Sequence, residues 1–415
     1  MSIVQNTTSK PLDDEAKFEE IEQTETGIHS NDVKSHSAAK QGDRALALIG
    51  DERVVVTEED NKSIRKKTDR VVLAILVWVY FLQILDKSVL GYGSIFGLQK
   101  ATHLQVSAPF VYIFLPNDIP SARFLSDHEK AKAIERLRAN QTGTGSREFK
   151  WSQILELIFE PKTYLWIGLS LLLNVGASVT NTFGPLILDG LGFDKYKTSL
   201  LNMPFGALQV LIILLASYAA QKCRIKSAVL IALTLPVIAG LAVLYVVPRS
   251  DSHEAALLVG YYLLAFLFGG NPIIVAWIVG NTAGTTKKSV IMSLYNAGSS
   301  AGNIIGPLLF SSKDAPGYHP GLRSVLAIFV TFAAVTLIQL ANLMFLNKMQ
   351  AKRRVRNGKR AIIKDHSMED RYHDVEEENT IDEEGGEDGD ISRRLGQQAF
   401  LDYTDRQNDE FVYIY

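Results

Sequence analysis

The sequence predicts an all-α polytopic membrane protein, and three observations carry that reading. The first is segregation of charge. The chain is 47% hydrophobic and 21% charged, which averages to an ordinary soluble composition. Yet residues 1–70 and 347–415 are densely charged, while residues 163–346 hold charge only in short gaps. The second is a set of six uncharged runs, at 163–188, 198–220, 227–247, 255–279, 289–312 and 324–346. Each has 21 to 26 residues. About 20 helical residues at about 1.5 Å rise cross a hydrocarbon core about 30 Å thick. Lipid offers no partner to a backbone polar group, so runs of this kind must be helices. The third is the alternation of basic and non-basic loops between the runs.

The N-terminal part is less regular. Residues 1–68 have few aromatics and many Ser, Thr, Asp, Glu and Lys, and they read as a disordered tail. Their first 60 residues lack the apolar segment of a signal peptide. Residues 71–98 form an apolar span interrupted by Asp86 and Lys87. Residues 101–116 are apolar but short, fitting either a stretched span or a re-entrant segment. The count is therefore about 7–8 transmembrane helices. The one cysteine, Cys223, leaves no intrachain disulfide to form.

Lys and Arg number 5 in 60–70, 8 in 121–162, 3 in 220–227, 2 in 280–289 and 7 in 347–360. The alternate loops carry 2, 1 and 2, at 189–198, 248–255 and 311–323. Basic loops stay in the cytoplasm, so both termini and the 121–162 loop are expected inside. Parity then requires 71–98 and 101–116 to cross out and back. The basic stretch 347–360 suits contact with anionic membrane lipid, and it suits a plain stop-transfer signal equally well.

"GNTAGTTKKS" at 280–289 superficially suggests a phosphate loop. It has no glycine before its lysines and follows an apolar span rather than a strand, so it reads as a short turn between helices. Beyond it, Gly298, Gly302 and Gly306 repeat every four residues, a row that lets a neighbouring helix approach closely. Met292, Asn296, Ser299 and Asn303 step by four, three and four, forming a second stripe rotated away from the glycines. Asn174, Ser178 and Asn181 repeat the pattern in 163–188. Buried amides in a membrane either pair between helices or line a polar cavity.

"FGGNP" at 268–272 sits mid-span, and Pro272 with two glycines predicts a broken helix that exposes backbone. Asn271 is the leading candidate for substrate contact, with Asn174, Asn181, Asn296 and Asn303 as further candidates. Asp86, a charge within an apolar run, is the candidate proton-coupling group. No metal-ligand spacing, hydrolase elbow or dinucleotide fingerprint occurs, so neither an enzyme nor nucleic-acid binding is expected.

The chain resembles the fungal allantoate-permease-like branch of the anion:cation symporter family, within the major facilitator superfamily. The residues that carry the resemblance are "LDKSVLGYGSIFGL" (85–98), "LPNDIPSARFLSDHEKAKAIERLRANQTG" (115–143) and "FKWSQILELIFEPKTYLW" (149–166). They continue with "FGPLILDGLGF" (183–193), "NMPFGALQ" (202–209), "WIVGNTAGTTKK" (277–288), "NIIGPLLF" (303–310), "DAPGYHPG" (314–321) and "DYTDRQNDEFVYI" (402–414). The resemblance implies a truncated major-facilitator bundle. Residues 69–120 would be a remnant of the N-terminal half and 121–162 the central cytoplasmic loop. Residues 163–346 would be the C-terminal six-helix half, and 347–415 a disordered cytoplasmic tail. The family's second to fifth spans have no counterpart between about Leu104 and Ala108.

The function this implies is proton-coupled uptake of a small organic anion, such as a ureide, vitamin or other carboxylate, across the plasma membrane. No cofactor is expected beyond the proton gradient, and a working transporter is expected either as the single chain or as a homo-oligomer that supplies two halves. The alternatives are a shortened, transport-inactive product and a membrane sensor or scaffold signalling through its tail.

Overall fold

The computed structural model describes residues 56–78, 119, 121–137, 148–189, 195–248, 251–310, 314, 318–363 and 402–415. Asp86, residues 101–116 and most of 71–98 lie outside the described residues. Among the described residues there is no strand.

Helix α1 spans Glu58–Thr68 and runs into a π-helical turn, Asp69–Leu73. Its start is a capping box: Thr57 Oγ1 accepts from the Asp60 N–H, and the Asp60 carboxylate accepts from the Thr57 N–H. Acids in its first turn and bases in its last complement the helix dipole. The disordered-tail reading of 1–68 therefore needs correction over 58–68. The helix is held by α2, Asp127–Leu137, through the 2.6 Å Lys132–Asp60 pair and a Lys67–Glu129 pair. Ile64 buries its side chain with Ala122, Leu125 and Ala133. Composition alone conceals an order that depends on a partner some 70 positions away.

A short helix, α3 (Trp151–Ile158), buries Gln153 and Leu157. Six long helical elements follow. They are α4 (Pro161–Asp189), α5 (Lys195–Cys223), α6 (Lys226–Val246), a broken rod, α9 (Thr285–Leu308) and α10 (His319–Arg356). The broken rod is α7 (Glu254–Leu263), a 3-10 segment (Leu264–Gly269) and α8 (Gly270–Gly280). Five of the six are long and apolar enough to cross a membrane. The exception is α9, whose 24 residues reach across but carry many hydroxyl and amide side chains.

The core lies around α4, which packs against both α9 and α10. Trp166 of α4 and Trp277 of α8 meet edge to face at 4.8 Å, and Phe205 of α5 stacks on Tyr261 of α7 at 4.6 Å. On the outside, α5 exposes Val210, Leu211, Leu214 and Leu215, and α10 exposes Val330, Leu337 and Ile338. Such continuous apolar faces are stable only against lipid or another apolar surface. The chain is an all-α, integral membrane protein.

Helix α10 has 38 residues and is therefore about 57 Å long, well beyond the ~30 Å of a hydrocarbon core. Its excess carries Lys348, Lys352, Arg353, Arg354 and Arg356. The reading of 347–415 as a disordered tail needs correction at both ends. Residues 347–356 continue the helix, and residues 402–415 fold back as a strap across one end of the bundle. Thr404, Asp405, Asn408, Glu410, Phe411 and Tyr413 of the strap are buried. The acidic run 376–390 lies outside the described residues.

Candidate functional site

Two polar regions stand out, one among the membrane helices and one beneath the strap. In the first, the helix break is central. Leu264–Gly269 tightens to 3-10 geometry, and Pro272 then sits in the first turn of α8, where its missing N–H costs little. Asn271 is thereby placed at the start of α8, half-buried. Its Oδ1 accepts a 2.8 Å hydrogen bond from the Tyr295 hydroxyl of α9. That bond fixes the amide and leaves its Nδ2, which has no partner among the described residues, available as a donor.

The other amides differ in placement. Asn174 is buried between α4 and α9, and its Nδ2 donates to Ser170 O of its own helix at 2.8 Å. Ser170 Oγ donates across to Tyr295 O at 2.7 Å, and Ser178 Oγ to Asn303 O at 3.0 Å. Ser170 and Ser178 thus bond across to α9, whereas Asn174 bonds within α4. Asn181 lies within α4. Asn296 and Asn303 are exposed on the far side of α9, while Met292 and Ser299 are half-buried.

The glycines face α4. A Cβ on Gly298 would come within 3.0 Å of Ile167 O, one on Gly302 within 2.6 Å of Leu171 O, and one on Gly306 within 2.8 Å of Val175 O. Both helices advance by four residues per contact in the same chain direction. They therefore run parallel, with their four-residue ridges against one another.

The second region is an ion cluster. Lys287 Nζ lies 2.7 Å from Glu156, 2.6 Å from Glu160 and 3.0 Å from Asp405. Lys162 pairs with the same Asp405 and lies 3.3 Å from Glu160. Tyr413 donates to Asp405 Oδ2 at 2.8 Å. Three carboxylate ligand atoms within 4.8 Å of one another could in principle hold a metal. Here the Lys287 ammonium stands where a bridging cation would, with one donor for each acid.

Three acids against two lysines leave one surplus negative charge. Burial, with Asp405 nearby, raises the Glu160 pKa despite the opposing lysines, so Glu160 is the acid of the cluster whose charge is least favoured. Burial pushes Asp405 up too, but Lys162 and Lys287 outweigh it and hold Asp405 well below the usual carboxylate range.

The turn that superficially suggests a phosphate loop does hold anions, and they belong to the chain itself. Gly284, at φ 91°, ends the turn in a conformation that favours glycine. Beyond it the opening N–H groups of α9 are taken: Thr285 donates to Asp402 Oδ1 at 2.7 Å and Lys287 to Gln153 Oε1 at 3.0 Å. Asn281 Nδ2 donates to Ile414 O at 2.9 Å, and Ile414 N–H returns a bond to Asn281 Oδ1 at 2.7 Å. The basic end of α10 is engaged as well. Arg354 donates to Asp409 O and Ala361 O, and Lys359 pairs with Asp409 at 2.7 Å and Glu410 at 2.9 Å.

Comparison with known proteins bears on the first region. Residues 106–307, which include the helix break and the glycine row, match the Major Facilitator Superfamily model. The chain carries a Major Facilitator Superfamily domain. The MFS-type transporter cnsL of Penicillium expansum is 37% identical over 227 residues, or 54% of this chain and 46% of that protein. The thiamine pathway transporter THI73 of Saccharomyces cerevisiae is 30% identical over 312 residues, covering 73% of this chain and 51% of the relative. The allantoate permease of Saccharomyces cerevisiae is 29% identical over 254 residues, covering 59% and 45%. No solved structure matches the chain significantly. The chain spans about half the length of the curated relatives it matches. Sequence reasoning missed the ion cluster, whose Asp405 lies beyond the residues that match the family model. The stretch "DYTDRQNDEF" is mostly polar and charged, with only Tyr403 and Phe411 apolar, so nothing local marks it for burial.

Proposed function

We propose that the protein is a transmembrane transporter of a small organic anion, with Asn271 as a substrate contact. The observation that carries this reading is the broken α7–α8 rod with Asn271 at its second start, oriented by Tyr295. A helix that restarts inside a bundle offers an amide side chain and the positive end of a short dipole to a carboxylate. The family domain and the transporter relatives support the same class. Allantoate and thiamine-pathway functions belong to those relatives, and a carboxylate of that size is the substrate class proposed here.

The proposed energy source is a proton carried with the anion, with Asp86 as its acceptor. The proposed setting is the plasma membrane, with both termini and the strap on the cytoplasmic side, as the basic loops require. The test is uptake of labelled allantoate and of simple carboxylates into proteoliposomes, with and without an inward proton gradient. Asn271→Ala should lower uptake by about tenfold to a hundredfold, since one hydrogen bond to a charged group is worth about 1.5–3 kcal/mol. Asp86→Asn should remove the dependence on the gradient. No uptake of any anion by correctly inserted wild-type protein would end this reading.

A further inference from the structure

The buried and exposed sides of α9 differ in chemistry, and the exposed side has a period of its own. Ser289, Ser293, Asn296, Ser300 and Asn303 are all exposed. They step by four, three, four and three, so they fall on one line diametrically across the helix from the glycine row. The exposed faces of α5 and α10 are made of Val, Leu and Ile, as a lipid-facing surface should be. A line of hydroxyls and amides five residues long does not belong against hydrocarbon. Ser289 Oγ and Ser293 Oγ return bonds to their own helix, at Thr285 O and Ser289 O. Among the described residues, nothing covers the amides of Asn296 and Asn303.

We propose that this line is the seam on which a second copy of the chain docks, α9 against α9. Two observations favour that partner. First, the 4-3-4-3 spacing is the 3.5-residue repeat of two helices wound side by side at a shallow left-handed crossing. Second, two copies inserted with the same topology are related by a two-fold axis along the membrane normal. Their α9 helices then run parallel, and each seam residue meets its own counterpart. Ser and Asn both donate and accept, so such a seam is complementary to itself, and its small side chains permit close approach. The proposal rests on the transporter reading only for its consequence, that the translocation path would be walled by two identical subunits.

The test reads association, not transport. In full-length protein with Cys223→Ser, a single cysteine is placed at Asn296, Ser300 or Asn303. Controls carry it at Leu214 of α5 or Leu337 of α10, and mild oxidation is applied in native-like vesicles. The seam positions should give a covalent dimer and the two controls should not. The Asn296→Leu, Asn303→Leu pair should reduce co-purification of two differently tagged copies by about tenfold. Monomers throughout, or cross-linking no stronger at the seam than at the controls, would overturn the proposal. A seam-specific dimer without uptake would sustain it and sink the transporter reading. Gradient-driven uptake by a monomer would do the reverse.

Discussion

An ammonium group donates three hydrogen bonds, and Lys287 directs one to each of Glu156, Glu160 and Asp405. Removing that cation leaves the buried Glu160 and Asp405 with Lys162 as their one remaining ammonium, and the half-buried Glu156 without one. Lys287→Met should therefore cost about 3–5 kcal/mol of stability, read as a lowered thermal midpoint in detergent. Glu160→Gln, which mimics the protonated acid, should cost little by the same measurement. The pH dependence follows from the two opposite shifts. Glu160 has a raised pKa, so its contribution is complete below the ordinary value of 4.5 and is lost as pH rises through its folded value. Asp405 and Asp409 are lowered, so theirs is present above 3.8 and is lost as pH falls further. Stability should thus decline on both sides of a mildly acidic optimum. Glu160→Gln should flatten the alkaline decline and leave the acid one. At Gly302 the opposing atoms are backbone, at 2.6 and 2.9 Å from an added Cβ. Gly302→Ala should therefore cost about 1–3 kcal/mol by the same midpoint, with no flexible side chain to give way.

At the scale of elements, the strap behaves as a separable piece held by many polar anchors. Gln153, Asn281, Asn347, Gln350 and Arg354 each bond to its backbone. Deleting 402–415 should expose the start of α9 and the end of α10, raising amide exchange at 281–288 and 350–357 while leaving mid-membrane segments protected. Equal exchange in both proteins would show that the strap is dispensable. This is also where the sequence is least legible. The long helices can be read from uncharged length because lipid forces that length on them. The order of the strap cannot, because its partners lie about 55 to 250 positions away. A local pattern of acids among aromatics looks like a solvated tail until Lys162 and Lys287 are brought beside it. In α9 the glycine row and Asn296 with Asn303 are visible by spacing. The neighbours are not: spacing alone selects Met292 and Ser299, whereas exposure selects Ser293 and Ser300.

Over the described residues, the molecule is a bundle of six long helical elements, tied at one end and polar along one side. The tie joins α3, α4, the α8–α9 turn and α10 through one cluster, so that end should move as a unit. The rod broken at Leu264–Gly269 is the place where the rest can bend relative to it. Order of synthesis adds a further consequence. All six long elements are made before residues 402–415, so during translation Lys162 and Lys287 face Glu156 and Glu160 without Asp405, and the first N–H groups of α9 lack Asp402. The bundle end is therefore left open until the strap emerges from the ribosome. A chain interrupted between α10 and the strap would leave Lys162 and Lys287 one acid short and the first amides of α9 unsatisfied, a chemical mark of unfinished synthesis that the finished protein erases by folding on itself.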